Sequence, residues 1–339
     1  MQTIEHRLYN IHPIFNEFDR LYAVLSEKKE KDTLIKHTFS SALKPLISLF
    51  NSYFIREDIK TQRRKIHRLK PIENNDIIVC FSGGKDSIAT VLHYIEAGYN
   101  VYLYHMRKIN PPLFDEYIQA QEIAKYLNLP IYIDEIKLSG KHDYIEHPMK
   151  NMIIANGALQ YGIRNSITTN IAFGNYKTSS LEYDNFEYCG GDDIEMWEIY
   201  NKIISKVIPG FKMNIALEHL GETLETVCPN KELLNMSISC LGRASMREYW
   251  HNRICDKYGI EIPKHRCGRC YKCCIEYIYM ADHDLTRYNE EYYRYCFNNL
   301  RKNVEREDGF KYEQKQVWNH YFFYDIEKSK YFKRTLDFS

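Results

Sequence analysis

Ser82-Gly83-Gly84-Lys85-Asp86-Ser87 carries the residue types of an anion site. Two adjacent glycines let a backbone come close to phosphate oxygens, and the free N–H groups at a helix start point at such a ligand. Lys85 adds a point charge, and Ser82 and Ser87 add hydroxyl donors. The G-x-x-x-x-G-K-[ST] spacing of a Walker A loop is absent. A second cluster follows far down the chain. Cys267, Cys270 and Cys273 are separated by two-residue gaps, the knuckle spacing that aims successive sulfurs at one ion. A tetrahedral site needs a fourth ligand. Cys240 is the first choice, with Cys274, Cys255 and His265 as alternatives, and Cys274 points elsewhere because it adjoins Cys273. A C-x2-C-x2-C run also serves iron–sulfur clusters, but the following x3-Cys-Pro is missing, which favours zinc. Four sulfurs on zinc leave no open position, so the expected role is structural.

These residues must be positioned by regular elements. The apolar run 77–81 precedes the loop, and a helical pattern runs over 87–96. Beyond it, strands are expected at 101–104, 131–136, 168–173 and near 212–216, with helices at 113–128, 148–164 and 193–207. Alternating strands and helices imply an α/β fold with a doubly wound parallel sheet. Ligands in such sheets bind beyond the carboxyl ends of strands, where the glycine loop begins. Helices are also expected in 1–70, which ends in a basic run (Lys60, Arg63, Arg64, Lys65, His67, Arg68, Lys70) read as a solvated helix face leading to a linker. The expected organisation is therefore a helical extension at 1–70, the nucleotide domain at 71–235, a zinc-binding region at 236–285 and a helical, tyrosine-rich extension at 286–339.

Composition narrows the function classes. The 339 residues carry 46 Lys and Arg against 45 Asp and Glu, a formal charge of +1, so no global field announces a nucleic-acid partner. The apolar runs fall short of the ~20 residues of a membrane span, so no membrane partner is expected. The first residues lack the apolar core of a signal peptide. Ten cysteines without such a signal suggest reduced thiols or metal ligands in a cytoplasmic protein.

Ser82–Ser87 matches the SGGxDS signature of the PP-loop ATP pyrophosphatases, and the ordered set of segments resembles the 7-cyano-7-deazaguanine synthase family within them. Tyr104-His105-Met106-Arg107 resembles that family's aromatic-Gly-Gln-Arg-His segment. His147-Pro148-Met149-Lys150-Asn151, followed by an apolar run, resembles its Pro-x-Arg-Asn helix start, with Lys150 in the Arg place. Ile171-Ala172-Phe173-Gly174-Asn175 resembles its strand ending in glycine and a polar residue. Ser237-Ile238-Ser239-Cys240 with Cys267-Gly268-Arg269-Cys270 and Cys273 resembles its four-cysteine zinc site. The match covers about 77–280. The family's substrate loop, aromatic-Pro-Asp-Cys-Arg, corresponds here to Phe186-Glu187-Tyr188-Cys189-Gly190-Gly191-Asp192-Asp193, without the Pro and Arg.

The resemblance implies an ATP-dependent carbon–nitrogen ligase that adenylates a carboxylate, releases pyrophosphate and forms an amide or nitrile. It implies ATP, Mg2+ and Zn2+ as cofactors. Ser82, Gly83, Gly84, Lys85, Asp86 and Ser87 would bind nucleotide, with Lys85, Ser82 and Asp86 catalytic. Arg107, Lys150, Asn151, Tyr188, Asp192 and Asp193 would face substrate, and Cys240, Cys267, Cys270 and Cys273 would hold zinc. The altered substrate loop points to a 7-deazaguanine or related carboxylate, or to a divergent defence role on a protein or nucleic acid, and a homodimer is allowed for. Two rival readings are a PP-loop tRNA sulfur transferase, with Cys189 as its thiol, and a nucleotide-sensing nucleic-acid binding module.

Overall fold

The computed structural model describes residues 69–108, 116–136, 150–176, most of 197–305, and 331. The expectations for 1–68, for Tyr188, Cys189, Asp192 and Asp193, and for 306–330 lie outside the described residues. The rest fall into two units that interleave along the chain. The first takes the residues through Phe81, His93–Leu113 and Leu129–Ala216. The second takes Ser82–Leu92, Phe114–Asn128 and the residues from Leu217 onward.

The first unit is built on a four-stranded, wholly parallel sheet of β1 (Asp76–Cys80), β2 (Asn100–Lys108), β3 (Ile131–Ile136) and β4 (Ile171–Phe173). The spatial order is β3-β2-β1-β4. The chain builds outward from β1 to β3 and then returns to add β4 on the other side of β1. That reversal makes β1 the topological switch point, beside which open α/β sheets bind their ligands. Ile77, Ile78, Val79 and Cys80 are all buried although neighbours in a strand point to opposite faces. The strand is therefore covered on both sides, which explains its unbroken apolar sequence.

Helix α3 (Lys150–Arg164) packs on this sheet, and Ala155, Ala158 and Leu159 on it are buried. Two other helices, α1 (Lys85–Glu96) and α2 (Glu116–Tyr126), form the crossovers that parallel strands require.

Two strand expectations need correction. The strand drawn at 168–173 begins only at Ile171: the Asn170 carbonyl accepts from the Ile78 amide of β1, but the Thr168 hydroxyl takes the Asn170 amide and the ladder goes no further back. The strand drawn at 212–216 reduces to one parallel bridge between Ala172 and Asn214. Asn214 makes both bonds of that bridge, its amide to the Ile171 carbonyl and its carbonyl from the Phe173 amide, while the Met213 amide on the other side goes to Asn201 Oδ1 at 2.7 Å. In the other direction, β2 runs on to Lys108, well past the expected end at 104, so Tyr104, His105, Met106 and Arg107 all lie in the strand.

The second unit is helical: α4 (Leu220–Val227), α5 (Lys231–Met236), α6 (Ala244–Tyr258), α7 (Tyr271–Asp282) and α8 (Glu290–Glu305). Asn230 caps α5 by accepting from the Leu233 amide. Helices α7 and α8 pack through Tyr277, Tyr292 and other buried aromatics.

Candidate functional site

In the chain, β1 is followed by Phe81, the loop Ser82–Gly84 and then α1. Gly83 has φ +77°, a left-handed conformation that only glycine adopts without strain. A Cβ on Gly84 would sit 3.2 Å from Ser82 Oγ and 3.4 Å from the Ile238 carbonyl, so the backbone there is in close packing. The first helical bond runs from the Ile88 amide to the Gly84 carbonyl.

Hydroxyl oxygens meet the loop amides. Ser87 Oγ accepts from the Ser82 amide at 3.3 Å and donates to the Gly84 carbonyl at 2.9 Å. Ser82 Oγ accepts from the Gly84 amide at 3.2 Å, and Ser239 Oγ accepts from the Lys85 amide at 2.9 Å. The loop thus presents several N–H groups to oxygen acceptors within a few ångströms of one another. Asp86 opens α1 beside them and adds its carboxylate to the first turn.

The Lys85 side chain is 4 % exposed, and its ammonium lies 2.6 Å from Glu276 Oε2. Glu276 is also held by Arg266, with Nε to Oε1 at 2.7 Å and Nη2 to Oε2 at 3.1 Å. Arg266 is itself buried and donates further to the Ser237 carbonyl at 2.6 Å and the Ser237 hydroxyl at 2.8 Å. Burial pushes the Glu276 carboxyl up, but the charges of Arg266 and Lys85 outweigh it and hold the group below the usual carboxylate value. Two cations share one carboxylate, so the buried triad carries one excess positive charge.

Cys240, Cys267, Cys270 and Cys273 come together, with all four sulfurs within 4.8 Å of one another. Three separations are 3.4, 3.9 and 3.9 Å. A tetrahedron of zinc–sulfur bonds of ~2.3 Å has edges of roughly 3.8 Å, so the donor set fits one such ion. The amides of Arg269 and Cys270 donate to Cys267 Sγ at 3.4 and 3.3 Å, an arrangement that favours thiolate. The Cys267 thiol is brought down to about 7. Its contact with Cys240 acts upward, and those with Cys270, Cys273 and the Cys270 amide prevail. Cys270 is pushed up by its contacts with Cys240 and Cys267. Four crowded thiols cannot all ionise without a cation among them.

Local sequence explains the knuckle. Gly268 has φ +67°, and a Cβ there would meet Ile254 at 2.9 Å and the Tyr292 hydroxyl at 3.0 Å. Cys270 then serves as the N-cap of α7, which carries Cys273 and Glu276 on successive turns. Trp250 packs against the cysteines, with the Arg269 guanidinium 3.8 Å above its ring. Cys274 faces away from the group, donating to the Arg269 carbonyl and accepting from Asn299.

The remaining expected site residues lie in the first unit. Arg107, on β2, bonds Glu135 on β3 at 3.2 Å. Lys150 and Asn151 open α3, and Asn151 is buried. His105, also on β2, bonds the Phe81 carbonyl at 2.8 Å, which requires its proton on Nδ1. A cavity of about 400 Å³ in the second unit is bordered by Leu234, Ile260, Pro263, Met280 and Arg287 and by none of the loop or cysteine residues.

Reading the sequence by motif missed Ser239, Arg266 and Glu276. Glu276 left one trace: it is the lone acidic residue within Cys273-Cys274-Ile275-Glu276-Tyr277-Ile278-Tyr279, an otherwise apolar run whose carboxylate needs a buried partner.

No protein-family model matches the chain, and no curated protein matches it. Among solved structures it is similar to NMN synthetase from Francisella tularensis, with 10% identity and a TM-score of 0.33, over 80% of this chain and 98% of that one. It is also similar to a predicted subunit of tRNA methyltransferase from Methanocaldococcus jannaschii, with 21% identity and a TM-score of 0.26, over 42% of this chain and 68% of that one.

Proposed function

We propose that this protein is an ATP-dependent adenylating enzyme that cleaves ATP between the α and β phosphates at the Ser82–Ser87 loop. The observation that carries the reading is the loop itself. It follows the switch-point strand, packs its amides against hydroxyl oxygens, and adjoins a buried triad with one positive charge in excess. Phosphate oxygens would replace the Ser82 and Ser87 hydroxyls as acceptors while Ser239 keeps the Lys85 amide, and the excess charge of the triad would be balanced by the polyphosphate.

In this reading a substrate carboxylate oxygen attacks the α-phosphorus, and the bond from that phosphorus to the bridging oxygen breaks. Pyrophosphate leaves with the electron pair, stabilised by loop amides, Ser82, Ser87 and Lys85. Asp86 at the first turn of α1 completes the catalytic set. Mg2+ accompanies the phosphates and lowers their mutual repulsion. A nitrogen nucleophile, ammonia by resemblance, then attacks the acyl carbon. AMP leaves, a proton is lost, and an amide results. Adenylation of that amide by a second ATP would allow its dehydration to a nitrile. The substrate class is a 7-deazaguanine or related carboxylate, with Arg107, Lys150, Asn151, Tyr188, Asp192 and Asp193 as its candidate contacts. Zinc on the four cysteines supplies a closed, structural site.

The test is product analysis. With ATP, ammonia and 7-carboxy-7-deazaguanine, the wild type yields AMP and pyrophosphate, and Lys85→Ala reduces turnover by about 100-fold or more, the scale of losing a charge stabiliser in the transition state. ADP and phosphate as products would sink the α–β reading. AMP and pyrophosphate without amide or nitrile would sink the deazaguanine substrate alone.

A further inference from the structure

Of the three chain segments that bear the candidate ligand cysteines, two bond the glycine loop or the lysine that follows it, and the third bonds both of those segments. Ser239, next to Cys240, accepts from the Lys85 amide at 2.9 Å. Ile238 donates its amide to the Gly83 carbonyl at 3.0 Å, and its own carbonyl lies against Gly84. Glu276, one turn after Cys273 on α7, holds the Lys85 ammonium at 2.6 Å. Arg266, next to Cys267, grips Glu276 with two bonds and Ser237 with two more. Outside the sulfur cluster, Arg266 joins the 237–240 segment to the other two cysteine-bearing segments. An ion shared by four sulfurs would lock all three into one body and fix Ser239 and Glu276 relative to each other.

The charges agree with this coupling. Zinc with four thiolates carries a net charge of two negatives, and the adjacent triad carries one excess positive. Each charged group therefore gains from the other's presence in an interior where unpaired charge is costly.

We propose that the four-cysteine centre sets the shape of the Ser82–Ser87 loop, with Ser239 and Glu276 as its positioning residues, so that metal occupancy raises the loop's affinity for a polyphosphate. The affinity part rests on the nucleotide reading of the loop; the shape part does not. Coupling of this kind is reciprocal, so ATP raises the affinity for zinc by the factor with which zinc strengthens ATP binding.

The experiment uses the full chain, zinc-loaded, zinc-stripped and as Ser239→Ala. Amide hydrogen exchange is read at Gly84, Lys85 and Asp86, ATP binding by calorimetry, and zinc affinity by equilibrium competition with a coloured chelator. Removing the Ser239 hydroxyl should speed exchange of the Lys85 amide and weaken ATP binding, each by about 2- to 12-fold, the scale of one hydrogen bond. Zinc content should be unchanged in that variant, and ATP should shift the zinc equilibrium from the chelator toward the wild type. Loop exchange that stays the same in both Ser239→Ala and stripped protein overturns the proposal whether or not ATP binds. If stripping unfolds the chain, loop exchange in Ser239→Ala decides the positioning part and the zinc competition decides the metal part, which an affinity for zinc unchanged by bound ATP overturns. Failure of the zinc-loaded wild type to bind ATP while loop exchange responds as expected would overturn the nucleotide reading and the affinity part, and would leave the metal-to-loop positioning supported.

Discussion

Strand β1 and helix α7 are both buried, and they are buried in opposite ways. β1 hides Ile77, Ile78, Val79 and Cys80, side chains that ask nothing of their neighbours but close packing. α7 hides Cys273 and Glu276, which are stable in the interior only because Arg266, Lys85 and three other sulfurs are brought to them. The sheet unit is held together by area removed from water, roughly 25 cal/mol per Å² of apolar surface. The loop-and-cysteine unit depends on specific partners, and a missing partner there costs more than a missing methylene, because it strands a polar group in a dry interior.

The first way to break that comparison is to remove a sulfur. Cys270→Ser replaces a soft ligand in a set of four and should lower zinc from about one ion per chain to a small fraction of that. It should also lower stability by at least about 3 kcal/mol, since binding energy at a structural zinc site is folding energy. Metal analysis and thermal unfolding check both. Protein with Cys270→Ser that unfolds at the wild-type temperature would show that the cysteines are ordinary core thiols. A brown, iron-containing protein would instead favour an iron–sulfur centre.

The second way acts on the sheet. Leu103 on β2 is fully buried among apolar neighbours. Leu103→Ala should cost about 2–5 kcal/mol through lost burial and the cavity left behind. Zinc content should be unchanged, because no ligand or partner of the cysteine site is touched. A loss of zinc in this variant would mean that the two units share stability more closely than their separate chemistries imply.

These contrasts also explain what was legible in the sequence. The strands β1 and β3 and helices α1 and α3 could be read because apolar periodicity is a local property and the switch to glycine marks the loop. The sulfur cluster could be read from the two-residue gaps, although its fourth member was only one of several choices. β4 was drawn too long because a threonine hydroxyl, indistinguishable in composition from a strand residue, captures the amide of Asn170. Arg266, Glu276 and Ser239 were not legible as a group. They lie at separations of 10 to 37 residues, and nothing in their types or spacing names their partner at Lys85. Charge pairs in a folded interior are set by tertiary approach, which local pattern does not encode.

The smallest expected effect is a pH slope from the sheet unit. His105 sits on β2 with its ring buried, and its pKa is lowered from 6.5. Burial disfavours the imidazolium and Arg107 repels it, while the Phe81 carbonyl acts the other way and is outweighed. The unfolded chain therefore takes up this proton more readily than the folded one. Stability from His105 is intact above about pH 6.5 and declines as pH falls below that value toward the lower folded pKa, with a limiting slope of about 1.4 kcal/mol per pH unit. His105→Gln keeps an N–H donor for the Phe81 carbonyl and removes the titration. Denaturant unfolding at several pH values from 7.5 to 5 should show a shallower decline in the variant than in the wild type. Equal slopes would mean that His105 stays accessible to protons in the fold, and the contrast between an indifferent sheet and a charge-dependent second unit would then be sharper than drawn here.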